Sequence, residues 1–399
     1  MPRARSVTYA LITILVGILF AAAIAELALR AVGYSDPTFY LPDAQLGWVL
    51  RPNSHGWFKD EGSAYFQVNA AGRHDEDVAT SKPPGTFRIA VLGDSFTEAK
   101  QVPIEQNFCS LIQNGLSHCD ALHASRVEVL NFGVAGYGTT QELLQMRERV
   151  WQYSPDMVML AFFVGNDVFD NSAPLGANLQ RPFFVKKNGA WTLDYSFHEL
   201  RHYRKAVARV HSFGTFLRDH LRVVQLMEQA IRGLHQLGDR NSDDTASQPA
   251  GPPLDKPATS PQLKDALDAT YYALDTMNQE VRAHDARFLM VIIENPMQVN
   301  PDPAVRAARM RQLGITDEFY FEEQLASFAR DHGFQVLSLA QPFQKYADEH
   351  HVYLHGFANT AFGSGHWNRE GHALAAELIE KKTCEMLAAP VQSPAQSSN

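Results

Sequence analysis

The amino-acid sequence predicts a three-layer α/β/α fold in which a parallel sheet carries helices on both faces. Short apolar segments alternate with longer helical patterns from about residue 86 to residue 387, and this alternation is typical of parallel sheets. Two of the apolar segments end abruptly in Gly-rich polar turns, at residues 93–95 and 165–167. An uncharged apolar stretch near residue 1 adds an N-terminal transmembrane helix.

The elements follow one another as strand, helix and strand along the chain. Strands are predicted near 87–92, 126–131, 156–164, 287–293 and 334–339. Helices are predicted near 104–117, 139–152, 262–284, 316–331 and 369–387. The strand segments are apolar runs of the length expected for strands with both faces buried.

The N-terminal segment predicts the compartment. Arg3 and Arg5 precede an uncharged stretch from Val7 to Ala25, which at about 19 residues is just long enough to span a bilayer. Because positive residues stay on the cytoplasmic side, the rest of the chain is expected in the periplasm or outside the cell, anchored in the inner membrane. The alternative is a secretory signal cleaved after Ala25.

Composition divides the chain into segments. We expect an anchor or signal peptide with its stem at 1–36, an irregular or small β leader at 37–85, the main domain at 86–390 and a disordered tail at 391–399. An insertion at about 170–261 contains basic residues from Arg201 to Arg222 and ends in a Ser- and Pro-rich linker at 239–261. The basic stretch is read as a solvated face, a lid, a surface for an acidic glycan or a membrane contact.

Ser95 is the candidate nucleophile. It is the last residue of the tripeptide Gly93-Asp94-Ser95, which directly follows an apolar run. A strand that stops in such a turn holds the hydroxyl at the carboxyl edge of the sheet, where open α/β sheets bind ligands. Because Gly-Asp-Ser alone is a weak motif, the assignment depends on later segments.

Three later blocks support it, each containing a residue type that acyl-transfer chemistry needs. They are Asn131-Phe132-Gly133-Val134-Ala135-Gly136, Gly165-Asn166-Asp167 and His366-Trp367-Asn368. With Gly93-Asp94-Ser95 these blocks, in this order, resemble the SGNH or GDSL hydrolase family over roughly residues 86 to 387. The resemblance implies the flavodoxin-like SGNH hydrolase fold.

The resemblance also implies roles for particular residues. Ser95 would be the nucleophile and His366 the base that takes its proton. The N–H groups of Ser95 and Gly136 and the side-chain amide of Asn166 would form the oxyanion hole. The neighbouring polar residues would have supporting roles; they are Asp94, Asn131, Asp167 and Asn368. Alternatively, Asn131 and Asp167 only stabilise their turns through side-chain hydrogen bonds to the backbone.

One position departs from the family pattern. The family usually carries an Asp three residues before the catalytic His, but here that position is Gly363. Our hypothesis is that a backbone carbonyl of the 362–364 turn accepts the imidazole N–H instead, with Asp348 or Glu349 as the alternative acid.

The remaining composition excludes several classes of function. A net charge of −9 with interspersed signs argues against nucleic-acid binding. No motif requires a cofactor, and the spacing of His350, His351 and His355 does not make a convincing metal site. Cys109 and Cys119 either pair in an oxidising compartment or remain buried thiols.

The function expected from the resemblance is an ester hydrolase. Its substrate would be an acyl ester, of O-acetyl type, on an extracytoplasmic glycan or lipid, cleaved through an acyl-Ser95 intermediate. The alternatives are a glycan O-acetyltransferase that uses the same residues and a non-catalytic glycan-binding or assembly protein on the same fold. The oligomeric state is left open.

Overall fold

The computed structural model describes residues 2–210, 212–238 and 254–388. Its first element is helix α1 (Pro2–Ala31), within which Tyr9–Ala31 is long and apolar enough to cross a membrane. The expected tail at 391–399 and most of the linker at 239–261 lie outside the described residues.

Two small antiparallel sheets follow α1. Strand β1 (Tyr40–Asp43) pairs with β2 (Gly47–Leu50), and β3 (His55–Phe58) pairs with β4 (Ala64–Gln67). Side chains alternate between buried and exposed along β3 and β4, as expected for a hairpin with one face on the core. The turn of this hairpin therefore lies against the body of the protein rather than free in solvent.

A five-stranded parallel sheet forms the centre of the molecule. The remaining strands are β5 (Thr86–Gly93), β6 (Arg126–Asn131), β7 (Met157–Phe163), β8 (Phe183–Lys187), β9 (Ala190–Asp194), β10 (Arg287–Ile293) and β11 (Gln335–Ser338). Strands β8 and β9 form a separate hairpin, and the other five are ordered β6-β5-β7-β10-β11. This is the flavodoxin-like order, with its switch point beside β5.

Each of the five predicted helices has a counterpart in the structure, but others, among them the helices at Pro303–Leu313 and Ala340–His350, were not predicted. Those that follow α1 are α2 (Ser95–Glu98), α3 (Phe108–Leu116), α4 (Thr139–Gln145), α5 (Asp167–Asp170), α6 (Arg201–Arg209), α7 (Phe213–His220), α8 (Arg222–Gly238), α9 (Pro261–Ala283), α10 (Pro303–Leu313), α11 (Tyr320–His332), α12 (Ala340–His350) and α13 (Arg369–Ala388). The predicted helix at 139–152 is interrupted, because α4 gives way to a π-helical turn at Met146–Val150.

Two hydrophobic cores, one on each face of the sheet, produce the three layers. Helices α4, α9 and α11 contribute buried side chains to one core, and α3, α12 and α13 contribute to the other. Alternate residues of each strand serve the two cores, so that Leu92 and Leu160 face one side while Val91 and Met159 face the other. The predicted α/β/α fold is confirmed.

Helices of the insertion pack against the end of α1. The Val223 N–H donates to the Glu26 carboxylate at 3.0 Å, and the Arg30 guanidinium donates to the His220 carbonyl at 2.6 Å. Arg51 forms two hydrogen bonds to Asp219 at 2.7 and 2.5 Å. The α7–α8 segment thus contacts both α1 and the 37–85 segment.

The disulfide differs from the sequence expectation. Cys119, which follows α3, pairs with Cys384 of α13, and Cys109 is a buried free thiol. Cys109 is fully buried in the core on the α3 side of the sheet. The bridge joins the segment after α3 to α13, and these two helices pack on the same face of the sheet.

Candidate active site

The Gly-Asp-Ser turn lies at the carboxyl end of β5. Gly93 has a φ of 156°, and a Cβ there would lie 2.2 Å from the Thr97 hydroxyl, so only glycine fits. The Asp94 carboxylate accepts the Phe96 N–H at 2.9 Å and caps the helical turn. Ser95 consequently begins α2 half-buried, with its N–H outside the hydrogen bonding of the helix.

The structure brings Ser95 and His366 into contact. The Ser95 hydroxyl lies 2.7 Å from Nε2 of His366, although the two residues are 271 positions apart in the chain. His366 is nearly buried, and its ring lies 5.0 Å from the ring of Phe96. An imidazole at this distance can take the proton of the hydroxyl.

The acid partner of His366 is Glu61, and the hypothesis of a turn carbonyl was wrong. The Glu61 carboxylate accepts a hydrogen bond from Nδ1 of His366 and a second from its backbone N–H at 2.8 Å. The two acids considered as alternatives have other partners. Asp348 accepts hydrogen bonds from Arg306 at 2.6 and 2.8 Å, and the Glu349 carboxylate lies 3.8 Å from the Lys345 ammonium. The β3–β4 turn therefore supplies the carboxylate that Gly363 lacks.

Gly365 and Asn359 hold the turn that carries Glu61 in position. Gly365 has a φ of 74°, and a Cβ on it would lie 2.0 Å from the Glu61 carboxylate. Asn359 accepts the Gly62 N–H at 2.9 Å and donates to the carbonyls of Lys59 and Gly62 at 2.9 and 2.8 Å. The turn and the segment before His366 are thus joined by direct hydrogen bonds.

The electrostatics favour a charged Glu61. Burial raises the pKa of this carboxyl, but the hydrogen bonds and positive charge of His366 outweigh burial and leave the pKa below its ordinary value. An ionised acceptor on Nδ1 fixes the tautomer in which Nε2 can accept a proton from Ser95. Ser95, His366 and Glu61 are thus linked by hydrogen bonds in the sequence Ser-His-Glu, as in a catalytic triad.

A second buried pair supports the His366 segment from behind. His355 contacts the Gly365 carbonyl through Nδ1 at 2.9 Å and the Glu294 carboxylate through Nε2 at 2.9 Å. The Trp367 indole N–H donates to the same Glu294 oxygen at 2.8 Å. The backbone on both sides of His366 is therefore held by buried side chains.

The predicted oxyanion residues lie on loops that are hydrogen-bonded to the Gly-Asp-Ser turn. The Asn166 amide donates to Asp94 at 3.3 Å. The loop before Gly136 is held by Val134, whose N–H donates to the Gly93 carbonyl at 3.1 Å. Gly136 has a φ of 76°, which glycine adopts without strain.

The predicted supporting residues brace their own turns. The Asn131 amide donates to the Thr97 carbonyl at 2.7 Å, and its oxygen accepts the Gly133 N–H at 2.8 Å. Asp167 accepts the Phe163 N–H at 2.9 Å. Asn368 accepts the Gly371 N–H at 3.1 Å and donates to the Tyr353 carbonyl at 2.7 Å. Each of these contacts fixes a loop that carries Ser95, Asn166 or His366.

Buried carboxyl groups surround the Asn166 turn. Burial raises the pKa of Asp94 to about 6, and burial together with neighbouring acids raises the pKa of Asp167 and Glu142 well above their ordinary values. Within the part of the chain that the structure describes, no group of three or more His, Cys, Asp or Glu side chains is placed to hold a metal ion. His372 is buried beside Phe108, and burial lowers its pKa to about 3.

Sequence reasoning missed Glu61, Glu294 and His355 as parts of the site. Glu61 lies in Asp60-Glu61-Gly62, which has no motif. His355 was considered only with its neighbours as a metal ligand. Glu294 follows directly after β10, so its place at the carboxyl edge of the sheet was the one available signal.

Comparisons with known proteins give weak similarities. No protein-family model matches the chain. An arylesterase of Vibrio mimicus is 32% identical over 73 residues, which is 18% of this chain and 34% of that protein. The chain thus matches about a third of the length of this curated relative.

Several solved structures resemble the chain at low similarity. An acetyl xylan esterase has a TM-score of 0.38 at 12% identity, covering 74% of this chain and 99% of its own. A GDSL-like lipase of Bacteroides thetaiotaomicron has a TM-score of 0.33 at 12% identity, covering 77% and 92%. An acetylxylan esterase mutant of Geobacillus stearothermophilus has a TM-score of 0.37 at 12% identity, covering 74% and 93%. Similarity at this level does not identify a reaction, so the site itself must support the function.

Proposed function

We propose that this protein is an SGNH-type serine ester hydrolase with Ser95 as nucleophile, His366 as general base and Glu61 as the acid that orients the imidazole. One observation carries the proposal: Nε2 of His366 lies 2.7 Å from the Ser95 hydroxyl while Nδ1 contacts the Glu61 carboxylate. Because Ser95, His366 and Glu61 are in contact, all three groups of a catalytic triad are present. This favours an enzyme over the non-catalytic alternative, which was based on the absence of an acid at Gly363.

In the first half-reaction, the Ser95 oxygen attacks the acyl carbon and its proton passes to Nε2 of His366. The tetrahedral intermediate then expels the alcohol, which takes that proton from His366. Acyl-Ser95 remains. Glu61 stabilises the imidazolium that forms between the two transfers.

In the second half-reaction, water replaces the alcohol. His366 takes a proton from the water as its oxygen attacks acyl-Ser95, and the collapse of the second intermediate returns the proton to Ser95 and releases the carboxylic acid. An alcohol acceptor in place of water would give the acetyltransferase reaction. No contact among the described residues favours that alternative specifically.

The N–H groups of Ser95 and Gly136 and the Asn166 amide are the proposed donors to the oxyanion. Each belongs to a segment that is hydrogen-bonded to the Gly93–Asp94 turn. Donors held in place before the reaction stabilise the developing charge without reorganisation, and loss of one typically costs about 100- to 1000-fold in rate.

The proposed location is the outer face of the inner membrane, with the substrate an acyl ester of a glycan or lipid. Helix α1 supports an anchor by its length and apolar composition. The Cys119–Cys384 disulfide supports an oxidising compartment. In this proposal the leader at 37–85 works with the main domain at 86–390, because it supplies Glu61.

A fluorophosphonate probe tests the proposal. We expect stoichiometric labelling of the full chain, no labelling of Ser95→Ala, and unchanged labelling of Ser364→Ala, an exposed serine on the segment before His366. Hydrolysis of p-nitrophenyl acetate should follow the same pattern. An unlabelled wild-type protein, or a label that persists in Ser95→Ala, would exclude Ser95 as an activated nucleophile.

A further inference from the structure

We propose that helices α7 and α8 lie in the surface of a lipid bilayer, with their outward apolar side chains between the lipid headgroups and the acyl chains. This inference rests on the proposed location at the outer face of the inner membrane, and it adds a second membrane contact to that of α1. The bilayer then holds the protein by two elements, which restricts the orientation of the α/β domain.

Exposed apolar side chains are concentrated in this part of the chain. Beyond residue 32, fourteen large apolar side chains of the described residues are exposed, and seven of them lie within residues 207–231. Those seven are Val207, Phe213, Phe216, Leu221, Leu226, Met227 and Ile231. Single exposed apolar residues are ordinary on a protein surface, but a concentration of them marks contact with a partner or a membrane.

Helix α8 turns its polar face toward the protein. The side chain of Gln225, which is fully buried, accepts the Asp36 N–H at 3.0 Å and donates to the Arg218 carbonyl at 2.9 Å. One turn later, the Gln229 side chain accepts a hydrogen bond from the Tyr34 hydroxyl at 2.7 Å. The polar side of α8 is therefore occupied by α7 and by the segment that follows α1.

The apolar face of α8 points outward. Leu226, Met227 and Ile231 are exposed by 41, 60 and 50%. Together with Val223 and Ala230 they occupy the i, i+3, i+4, i+7 and i+8 positions of one helix face. An amphipathic helix of a soluble domain turns this face to the core, whereas a helix that lies in a membrane interface turns it to the lipid.

Helix α7 presents aromatic rings in the same way. Phe213 and Phe216 are exposed by 73 and 54%, and their ring centroids lie 6.3 Å apart. The Phe216 ring also stacks on the exposed His220 imidazole, with centroids 4.2 Å apart. Exposed phenylalanine beside a polar ring suits the boundary between headgroups and acyl chains, where interfacial helices place such residues.

The end of α1 places these two helices at the bilayer surface. Between Arg5 and Glu26 the sequence has no charged residue, and charged side chains are costly in hydrocarbon, so the membrane boundary is expected near Glu26. The Glu26 carboxylate accepts the Val223 N–H at the start of α8, and Arg30 donates to the His220 carbonyl at the end of α7. The α7–α8 junction is thus bonded to the turn of α1 that leaves the membrane.

The charge of the neighbouring helix favours lipid over a second copy of the chain. Arg201, Lys205 and Arg209 are exposed and lie four residues apart on one face of α6. Thr215 of α7 donates to the Arg209 carbonyl at 2.7 Å, which holds this basic stripe at the start of α7. Anionic phospholipid complements the stripe, whereas a two-fold symmetric contact would bring the same stripe from both copies to one interface.

A fluorescent probe attached to the full chain tests the inference. Because Cys109 is buried and Cys119 is bridged to Cys384, one added cysteine can be labelled selectively without reductant. The label is a nitrobenzoxadiazole dye, and the labelled protein is reconstituted into vesicles of phosphatidylethanolamine and phosphatidylglycerol. Phospholipids that carry a nitroxide on the acyl chain, close to the headgroup, then quench the dye wherever it reaches the bilayer.

The variants are Phe213→Cys, Met227→Cys and the matched control Val305→Cys. Val305 is also an apolar helix residue, 48% exposed on α10. Quenching at Phe213→Cys and Met227→Cys should exceed that at Val305→Cys by about threefold or more, because an interfacial helix buries its apolar face about 5–10 Å into the boundary. Equal quenching of the three variants would overturn the inference.

A second copy of the chain on this face would give a different result. The emission of Met227→Cys would then shift as the amount of protein per lipid is raised, without quenching by the nitroxide lipid. That outcome would overturn the inference. Emission and quenching that do not change with protein density support contact with lipid.

Two further measurements separate this inference from the proposals on which it rests. Leu15→Cys reports on the middle of α1. Quenching there but not at Met227→Cys would retain the anchor and refute the second contact, while quenching at neither position would refute the membrane location and the inference together. Hydrolysis of p-nitrophenyl acetate by the same variants tests the reaction independently: quenching at Met227→Cys without hydrolysis would refute the hydrolase and retain the membrane contact.

Discussion

Glu61 contacts His366 at two atoms, and in the proposed mechanism both contacts affect the reactivity of Ser95. The bond to the backbone N–H fixes where the His366 segment lies, while the bond to Nδ1 fixes which ring nitrogen carries a proton. Since Nε2 must be free to accept, the carboxylate determines the tautomer as well as the position of the imidazole.

We expect Glu61→Gln to lower kcat for p-nitrophenyl acetate by about 10²- to 10⁴-fold with little change in fold. Glutamine keeps an oxygen for the His366 N–H, but its amide donates toward Nδ1. That reversal places the imidazole proton on Nε2, which then cannot take the proton of Ser95.

The control for Glu61→Gln is Asp348→Asn, which changes one of the two acids, Asp348 and Glu349, that the sequence offered as alternatives for this role. Asp348 lies on α12 and pairs with Arg306. Its substitution should leave kcat within about twofold, because the Asp348 carboxylate contacts Arg306 and not His366. If Asp348→Asn lowered kcat more than Glu61→Gln does, the assignment of Glu61 as the acid would be wrong.

At the scale of elements, the site depends on the meeting of the β3–β4 hairpin turn with the segment before His366. Neither element carries the complete site, since one brings Glu61 and the other brings His366. Close approach is possible because Gly365 has no side chain and adopts a positive φ. The carboxylate occupies the space where a Cβ would otherwise lie.

We expect Gly365→Ala to lower activity on p-nitrophenyl acetate by more than about 10-fold, because displacing a catalytic group by about 1 Å can cost 100-fold. The new Cβ would lie 2.0 Å from the Glu61 carboxylate and would force it from Nδ1. The measurement is kcat beside the thermal midpoint of unfolding.

A matched variant separates the clash from backbone strain. Gly189→Ala, in the β8–β9 turn, has a φ of 80° with nothing within 4 Å of the new Cβ. Both variants should lose on the order of 1–2 kcal/mol of stability from the left-handed backbone, but only Gly365→Ala should lose activity. Equal activity in the two variants would show that Glu61 does not depend on the space at Gly365.

At the scale of the whole molecule, the Cys119–Cys384 bridge closes almost the entire α/β domain. The two cysteines are 265 residues apart, so the bridge encloses β6, β7, β10 and β11 in one covalent loop. A cross-link of this length restricts the unfolded chain far more than the folded one.

We expect Cys119→Ser combined with Cys384→Ser to lower the free energy of unfolding by about 2–5 kcal/mol. Thermal or denaturant unfolding of the purified full chain measures the loss. Dithiothreitol should lower the unfolding midpoint of the wild type and leave that of the double variant unchanged. Insensitivity of the wild type to reductant would mean that the bridge does not stabilise the fold.

Much of the fold was predictable because each element has a local pattern. The strands at β6 and β10 agree with their predicted bounds, since apolar runs buried on both faces contrast with their flanks. The prediction of one helix over 139–152 was less accurate. The apolar pattern continues through the π-helical turn at Met146–Val150, which nothing in the composition distinguishes from an α-helix.

The predictions for the site divide in the same way. Ser95, Asn166 and His366 follow strands or precede a helix in recognisable blocks, so they were found together. Glu61 was not, because it lies 305 residues from His366 in a turn with no motif. The pairing of Cys119 was missed for the same reason, since its partner Cys384 lies 265 residues away in the chain.

The order of residue types along this chain was enough to predict the parallel sheet and to single out Ser95 and His366 as the proposed nucleophile and base, because hydrophobic period and Gly turns act over a few residues. The Glu61 carboxylate that contacts His366 and the Cys119–Cys384 disulfide could be identified only from the folded molecule. Their partners meet only after distant segments pack, and packing distances between such segments have no counterpart in local sequence.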